Sequence, residues 1–110
     1  ERMLENKKCY GCDLTGLDLS GRRLNGADLE MADMSGSVLK KTNFKNANLK
    51  GASFRNADLT GASFDGADLY KADFSGADLT EAEFGDAMVD DANFEGAAGY
   101  SQASSVMVNQ

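Results

Sequence analysis

Proline, tryptophan and histidine are absent from this chain of 110 residues. Without histidine, the side chain that most often shuttles protons near neutral pH and ligates metals is missing. Cysteine occurs only at Cys9 and Cys12, too few for a closed tetrahedral zinc site. Long apolar runs are also lacking, so nothing in the sequence reads as a membrane span. No basic segment followed by an apolar one opens the chain at Glu1, and the expectation is that an export signal is absent or already removed. A soluble protein is expected.

Positive charge is scarce in one half. The net charge is −7, with 10 basic and 7 acidic residues in 1–55 but 1 basic and 11 acidic residues in 56–110. Generic nucleic-acid affinity needs clustered Lys and Arg, so direct nucleic-acid binding is not expected.

What the chain has is a repeat. Large apolar residues fall on every fifth position from Leu14 to Phe94, making 17 units over residues 12–96, and all 6 Phe share this register. Two positions before each centre the residue is Ala in 12 of 17 units; two positions after it, Gly in 9 of 17. Five residues advance an α-helix by about 500°, which smears the centres around the wheel. On a straight strand the centres alternate faces. Neither element buries them on one side. The chain must turn once per unit, which Gly, Asn and Asp allow, and so winds into a parallel β-coil of the all-β class.

The Phe pattern counts the units in a coil. If residues twenty apart stack, Phe54, Phe74 and Phe94 form one ladder and Phe44, Phe64 and Phe84 another on the opposite wall. With three units per coil, Leu would interrupt every Phe column. Four is expected, giving about four coils.

Three segments follow: a cap segment over 1–11, the coil over 12–96, and a tail, cap or dimer contact over 97–110. Residues 1–8 start acidic and end basic, which suits a short helix over the first coil. Leu17 and Arg22 stand where small residues belong, so the first coil is expected to be wider or frayed.

The chemically suggestive residues are few. Cys9 falls on a centre and Cys12 on a small inward position, which makes both core or cap residues, with a disulfide between them as one form of that role. Lys40, Lys41, Lys45, Lys50 and Arg55 lie within one coil as a solvated or partner-docking band, with Lys50 placed beside Glu30 and Lys45 beside Asp65. The acidic run from Asp58 to Glu95 stacks Asp58 on Asp78 and Asp73 on Asn93. The nine-residue repeat of calcium β-rolls is not present, and a convex rod has no cleft to raise a carboxyl pKa. No catalytic residue, metal site or cofactor is expected.

Units such as Ala57-Asp58-Leu59-Thr60-Gly61 and Ala77-Asp78-Leu79-Thr80-Glu81 give the sequence its resemblance to the pentapeptide-repeat family, whose repeat reads A-(D/N)-L-x-x. The resemblance extends to cyanobacterial members with a Cys-x-x-Cys just before the first repeats, and it implies a bacterial cytoplasm, a periplasm or a thylakoid lumen as the location. It implies a right-handed quadrilateral β-helix and a non-catalytic structural or protein-interaction module. An unidentified protein, or a second copy docked through the C-terminal coils, would be the partner, with no small-molecule substrate. A branch of the family mimics DNA and inhibits DNA gyrase, which makes topoisomerase inhibition the alternative function.

Overall fold

The computed structural model describes residues 6–99, and in these the backbone repeats every twenty residues. Parallel β-bridges join residues twenty apart, from Lys8 with Asp28 to Asp78 with Ala98, without a break. Each coil therefore has four sides of five residues. The first face carries residues 7–11, 27–31, 47–51, 67–71 and 87–91; the second, third and fourth faces follow in chain order.

One unit shows why the sequence takes this form. Around Leu59, the Asp58 amide donates to Ser37 in the coil below, and the Leu59 and Gly61 amides donate to Asp78 and Thr80 in the coil above, all at 2.9 Å. The Ala62 amide closes a turn onto the Leu59 carbonyl at 3.0 Å. Only the Thr60 amide is left by the backbone, and the Asp58 carboxylate takes it at 3.2 Å. Every backbone donor of the unit thus has a partner. The acid or amide before the centre is there to accept the N–H that the ladder leaves over.

The turn sets the last position. Its third residue has φ between 57° and 72° at every unit from Gly11 to Gly96. Glycine takes that conformation freely, while Met31, Lys41, Lys71 and Glu81 take it against their preference.

Inside, the centres stack in four columns and are buried from Cys9 to Val89. Phe44, Phe64 and Phe84 stack at 5.1 and 5.0 Å, and Phe54, Phe74 and Phe94 at 4.9 and 5.1 Å. The two ladders also meet edge-to-face across the axis, at 5.5 Å between Phe64 and Phe74. They form one interleaved aromatic spine. Ser37 and Thr42 each interrupt a different column of alanines, and each donates its buried hydroxyl to a carbonyl, of Leu14 at 2.6 Å and of Leu19 at 2.9 Å.

Three expectations change at the N-terminal end. Lys8 bridges Asp28 and Cys9 occupies a buried centre, so the coil begins before residue 12; at the other end Ala98 still bridges Asp78. Of the helix expected over 1–8, residues 1–5 lie outside the described residues. Asn6 is helical, Lys7 turns at φ 56°, and Lys8 already belongs to the coil. The first coil is not widened. Leu14, Leu19 and Leu24 are buried and the bridges at Asp13, Asp18 and Arg23 are intact. Leu17 and Arg22 are tolerated because no coil of the described residues lies below them, and both side chains stay exposed.

Candidate docking face

Backbone amides account for five of the eleven acids from Asp58 to Glu95. Asp58, Asp68, Asp73 and Asp78 each accept the amide two residues on, as Asp13, Asp18 and Asp33 do in the earlier coils. The hydroxyl and amide of Thr15 hold Asp13 below the usual carboxylate range, and those of Thr80 do the same for Asp78. The Ser20 amide lowers Asp18. At Asp73 burial pushes upward, but the Ser75 amide and the Arg55 guanidinium outweigh it. Each of these carboxylates has a partner within its own coil or the next. Among the described residues no cluster of three or more His, Cys, Asp or Glu is placed to hold a metal.

The basic residues do not form a patch. Lys40 and Lys41 lie on the third face, Lys45 on the fourth, Lys50 on the first and Arg55 on the second, so they ring the rod. Lys40 pairs with Asp58 at 3.8 Å, Lys50 with Asp68 at 3.6 Å and Arg55 with Asp73 at 3.4 Å. The expected pairing of Lys50 with Glu30 is corrected: each cation reaches diagonally to the acid before the centre of the coil above. Asp65, expected beside Lys45, instead accepts the Gly85 amide at 2.7 Å. The Glu30 carboxylate accepts from Asn48 at 3.3 Å. These pairs are solvent-exposed and contribute little to stability.

Cys9 and Cys12 are joined by a disulfide across the first turn, their Cα atoms 5.4 Å apart. The Cys12 amide also donates to the Cys9 carbonyl at 3.3 Å, so the covalent link and the turn hydrogen bond close the same loop.

What stands out is apolar. Among the described residues the exposed large hydrophobic ones are Tyr10, Leu17, Met31, Tyr70 and Met88, with Tyr10 at 72% and Met88 at 52% exposure. All but Leu17 lie on the first face and its trailing corner. Met31 leans along the axis over Gly51, where a Cβ would strike its sulfur. The Lys71 ammonium sits 5.3 Å from the Tyr70 ring centre. Apart from Leu17 and the half-buried Val38, the described outward positions of the other faces are polar, small or charged. Among the described residues the surface has no cavity.

The family model for pentapeptide repeats matches residues 8–40, 39–76 and 57–96. The chain belongs to the pentapeptide-repeat family. Its fold is the right-handed β-helix of that family, whose members are generally non-enzymatic structural or interaction modules. A pentapeptide repeat protein from the Arabidopsis thaliana thylakoid lumen is 40% identical, with a TM-score of 0.67, over 83% of this chain and 66% of that one. A Nostoc pentapeptide repeat protein is 27% identical with a TM-score of 0.72, over 76% of this chain and 73% of that one. HetL, a Nostoc member involved in regulating heterocyst differentiation, is 32% identical with a TM-score of 0.59, over 87% of this chain and 44% of that one. The chain thus spans just under two thirds of the Arabidopsis relative and less than half of HetL. Comparison with curated proteins gives no match. Among the described residues no helix is long and apolar enough to cross a membrane.

Proposed function

We propose that this pentapeptide-repeat chain is a non-catalytic docking rod whose first face binds protein. The observation that carries this reading is the gathering of Tyr10, Met31, Tyr70 and Met88 on one side of a four-sided coil. Exposed apolar side chains scattered singly mean little, but several gathered on one side and bordered by charge mark an interaction surface. Tyr and Met are enriched at such surfaces, and a rigid coil presents them without an ordering cost. Asp58, Asp68, Asp73 and Asp78, by contrast, are occupied in holding turns. The Cys9–Cys12 link keeps the first turn closed beside Tyr10, a structural duty.

Self-association is one form of this docking. The end-on route through the C-terminal coils runs into residues 100–110, which lie outside the described residues; the first face lies wholly within them. The test is affinity capture from the source organism with two baits, the natural chain and a variant carrying Tyr10→Ser, Met31→Ser, Tyr70→Ser and Met88→Ser. A protein held by the first and lost by the second supports the reading. Equal retention by both sinks it. Inhibition of gyrase supercoiling by the purified chain would instead replace it with DNA mimicry.

A further inference from the structure

Resting on the reading of the first face as a docking surface, we infer that the Cys9–Cys12 disulfide is a reversible latch on that face, opened by a dithiol reductant. The bond closes a ring around the first turn, and Tyr10, the most exposed of the four docking side chains, lies inside that ring.

The first turn depends on the link because its other fastenings are weak. In the units of Asp58 and Asp73 the residue before the centre accepts the amide that follows the centre. Here that residue is Lys8, whose ammonium accepts nothing, so the Tyr10 amide gains no such bond. The turn hydrogen bond from the Cys12 amide to the Cys9 carbonyl is 3.3 Å long, against 3.0 Å at Leu59 and 2.9 Å at Phe64 and Leu69. Where Val38 and Glu83 leave the same gap, a hydroxyl or a carboxylate from the coil below fills it. In the Lys8 unit the disulfide stands in that place.

The two sulfurs differ in access. Cys9 is a buried centre, whereas Cys12 is half-buried at the end of the turn. An incoming thiolate therefore attacks Cys12. The S–S bond breaks, Cys9 leaves as a thiolate and takes a proton, and the reductant is held on Cys12 as a mixed disulfide. With a monothiol the nearby Cys9 sulfur attacks back, re-closes the ring and expels it. A dithiol instead uses its second thiol to displace Cys12 and departs as its own disulfide. Two electrons and two protons pass to the chain, which ends with two thiols. Both thiols still suit their places, since a free cysteine behaves as a small apolar side chain. The change is therefore confined to the turn. Closing so short a ring suppresses opening by roughly twentyfold on the chain-entropy relation, and reduction releases Tyr10 by about that factor.

Two measurements on the full chain test the latch itself. The native protein is held with dithiothreitol or with glutathione at about 1 mM, and its mass is read after alkylation in denaturant. The dithiol should reduce the pair and the monothiol leave it oxidised. Hydrogen exchange then compares the two forms. The Cys9 and Gly11 amides should exchange about tenfold faster or more after reduction, while those of Leu59 and Gly61 keep their rates. Resistance of the native chain to the dithiol overturns the inference. Reduction that leaves the Cys9 and Gly11 rates unchanged also overturns it.

Control of the face is read with Cys12→Ala, which breaks the link and installs the residue found at that position in 12 of the 17 units. As a bait in the capture experiment it should hold about threefold less partner than the natural chain, or lower still. In a Tyr10→Ser background it should change nothing further, and an added loss there would overturn a latch that acts through Tyr10. Equal retention by the natural chain and Cys12→Ala overturns the latch and leaves the docking face standing. Equal retention by the natural chain and the four-serine variant removes the docking face, and the latch with it.

Discussion

The Asp65 carboxylate accepts the amide of Gly85, its neighbour one coil above, at 2.7 Å. This bond replaces one the unit cannot make for itself. In units such as those of Asp58, Asp73 and Asn93 the residue before the centre accepts that amide, but here it is Glu83. The same repair occurs where Val38 takes that place: the Lys40 amide turns to the Ser20 hydroxyl at 3.2 Å.

Asp65→Ala should therefore destabilise the natural chain by about 0.5–1.5 kcal/mol, the net value of a hydrogen bond. Glu83→Asp supplies a local acceptor. In that background Asp65→Ala should cost less than about 0.5 kcal/mol. Chemical denaturation of the four proteins measures the coupling, and strict additivity would mean that the inter-coil bond contributes nothing.

The aromatic spine gives the largest expected loss. Phe64 lies between Phe44 and Phe84 and meets Phe54 and Phe74 edge-on, fully buried. Phe64→Ala should cost about 3–5 kcal/mol. Phe94, half-buried in the last coil, should cost clearly less, and Lys45→Ala less than about 0.5 kcal/mol. Equal losses at Phe64 and Phe94 would contradict a spine that is tightest in the middle.

The centres were legible because their spacing alone forces a turn per unit, and the Phe pattern requires an even number of units per coil, of which four is the natural choice. The duty of the acids was not. Whether Asp58 faces a partner or its own backbone depends on which N–H the ladder leaves over, and only the bridging pattern reveals that. The docking face was hidden for a different reason. Tyr10 and Tyr70 follow a centre, Met31 sits at a turn, and Met88 precedes a centre, so a five-residue reading scatters them. Sorting the sequence by twenty instead brings them to one side. That signal was available once the coil length was known, but the residues were sought by chemistry and not by face. Leu17 and Arg22 misled because the inward rule for small residues holds only where another coil lies beneath.

Acid should loosen the turns. The carboxyls of Asp13 and Asp78 sit below their ordinary value of 3.8 because each accepts from a threonine hydroxyl and amide. In the unfolded chain they take up a proton near that value, and in the native chain only at lower pH. Their contribution is therefore present above the unfolded value and is lost as pH falls through the native one. The melting temperature should be nearly flat from about pH 7 to about pH 5 and fall below about pH 4. Thr80→Val removes the hydroxyl that donates to Asp78 at 2.7 Å. This variant should show a shallower acid decline, and an unchanged slope would deny the Asp78 turn a share in acid stability.

The left-handed corners separate a backbone effect from a contact. Gly26 and Gly66 occupy the same column, both at φ 72°. A Cβ at Gly26 meets nothing within 4 Å, whereas one at Gly66 runs into the Oδ1 of Asn46 from the coil below. Gly26→Ala should therefore cost only the conformational term, roughly 1–2 kcal/mol. Gly66→Ala adds the displacement of Asn46, which itself sits at φ 59° and has little freedom to withdraw. In an Asn46→Gly background that excess should vanish, leaving Gly66→Ala equal to Gly26→Ala. Equilibrium denaturation of these variants measures each step. If Gly26→Ala and Gly66→Ala cost the same in the natural chain, Asn46 does not lean on the corner above it. The alternation of glycine with longer residues in this column would then carry no packing meaning.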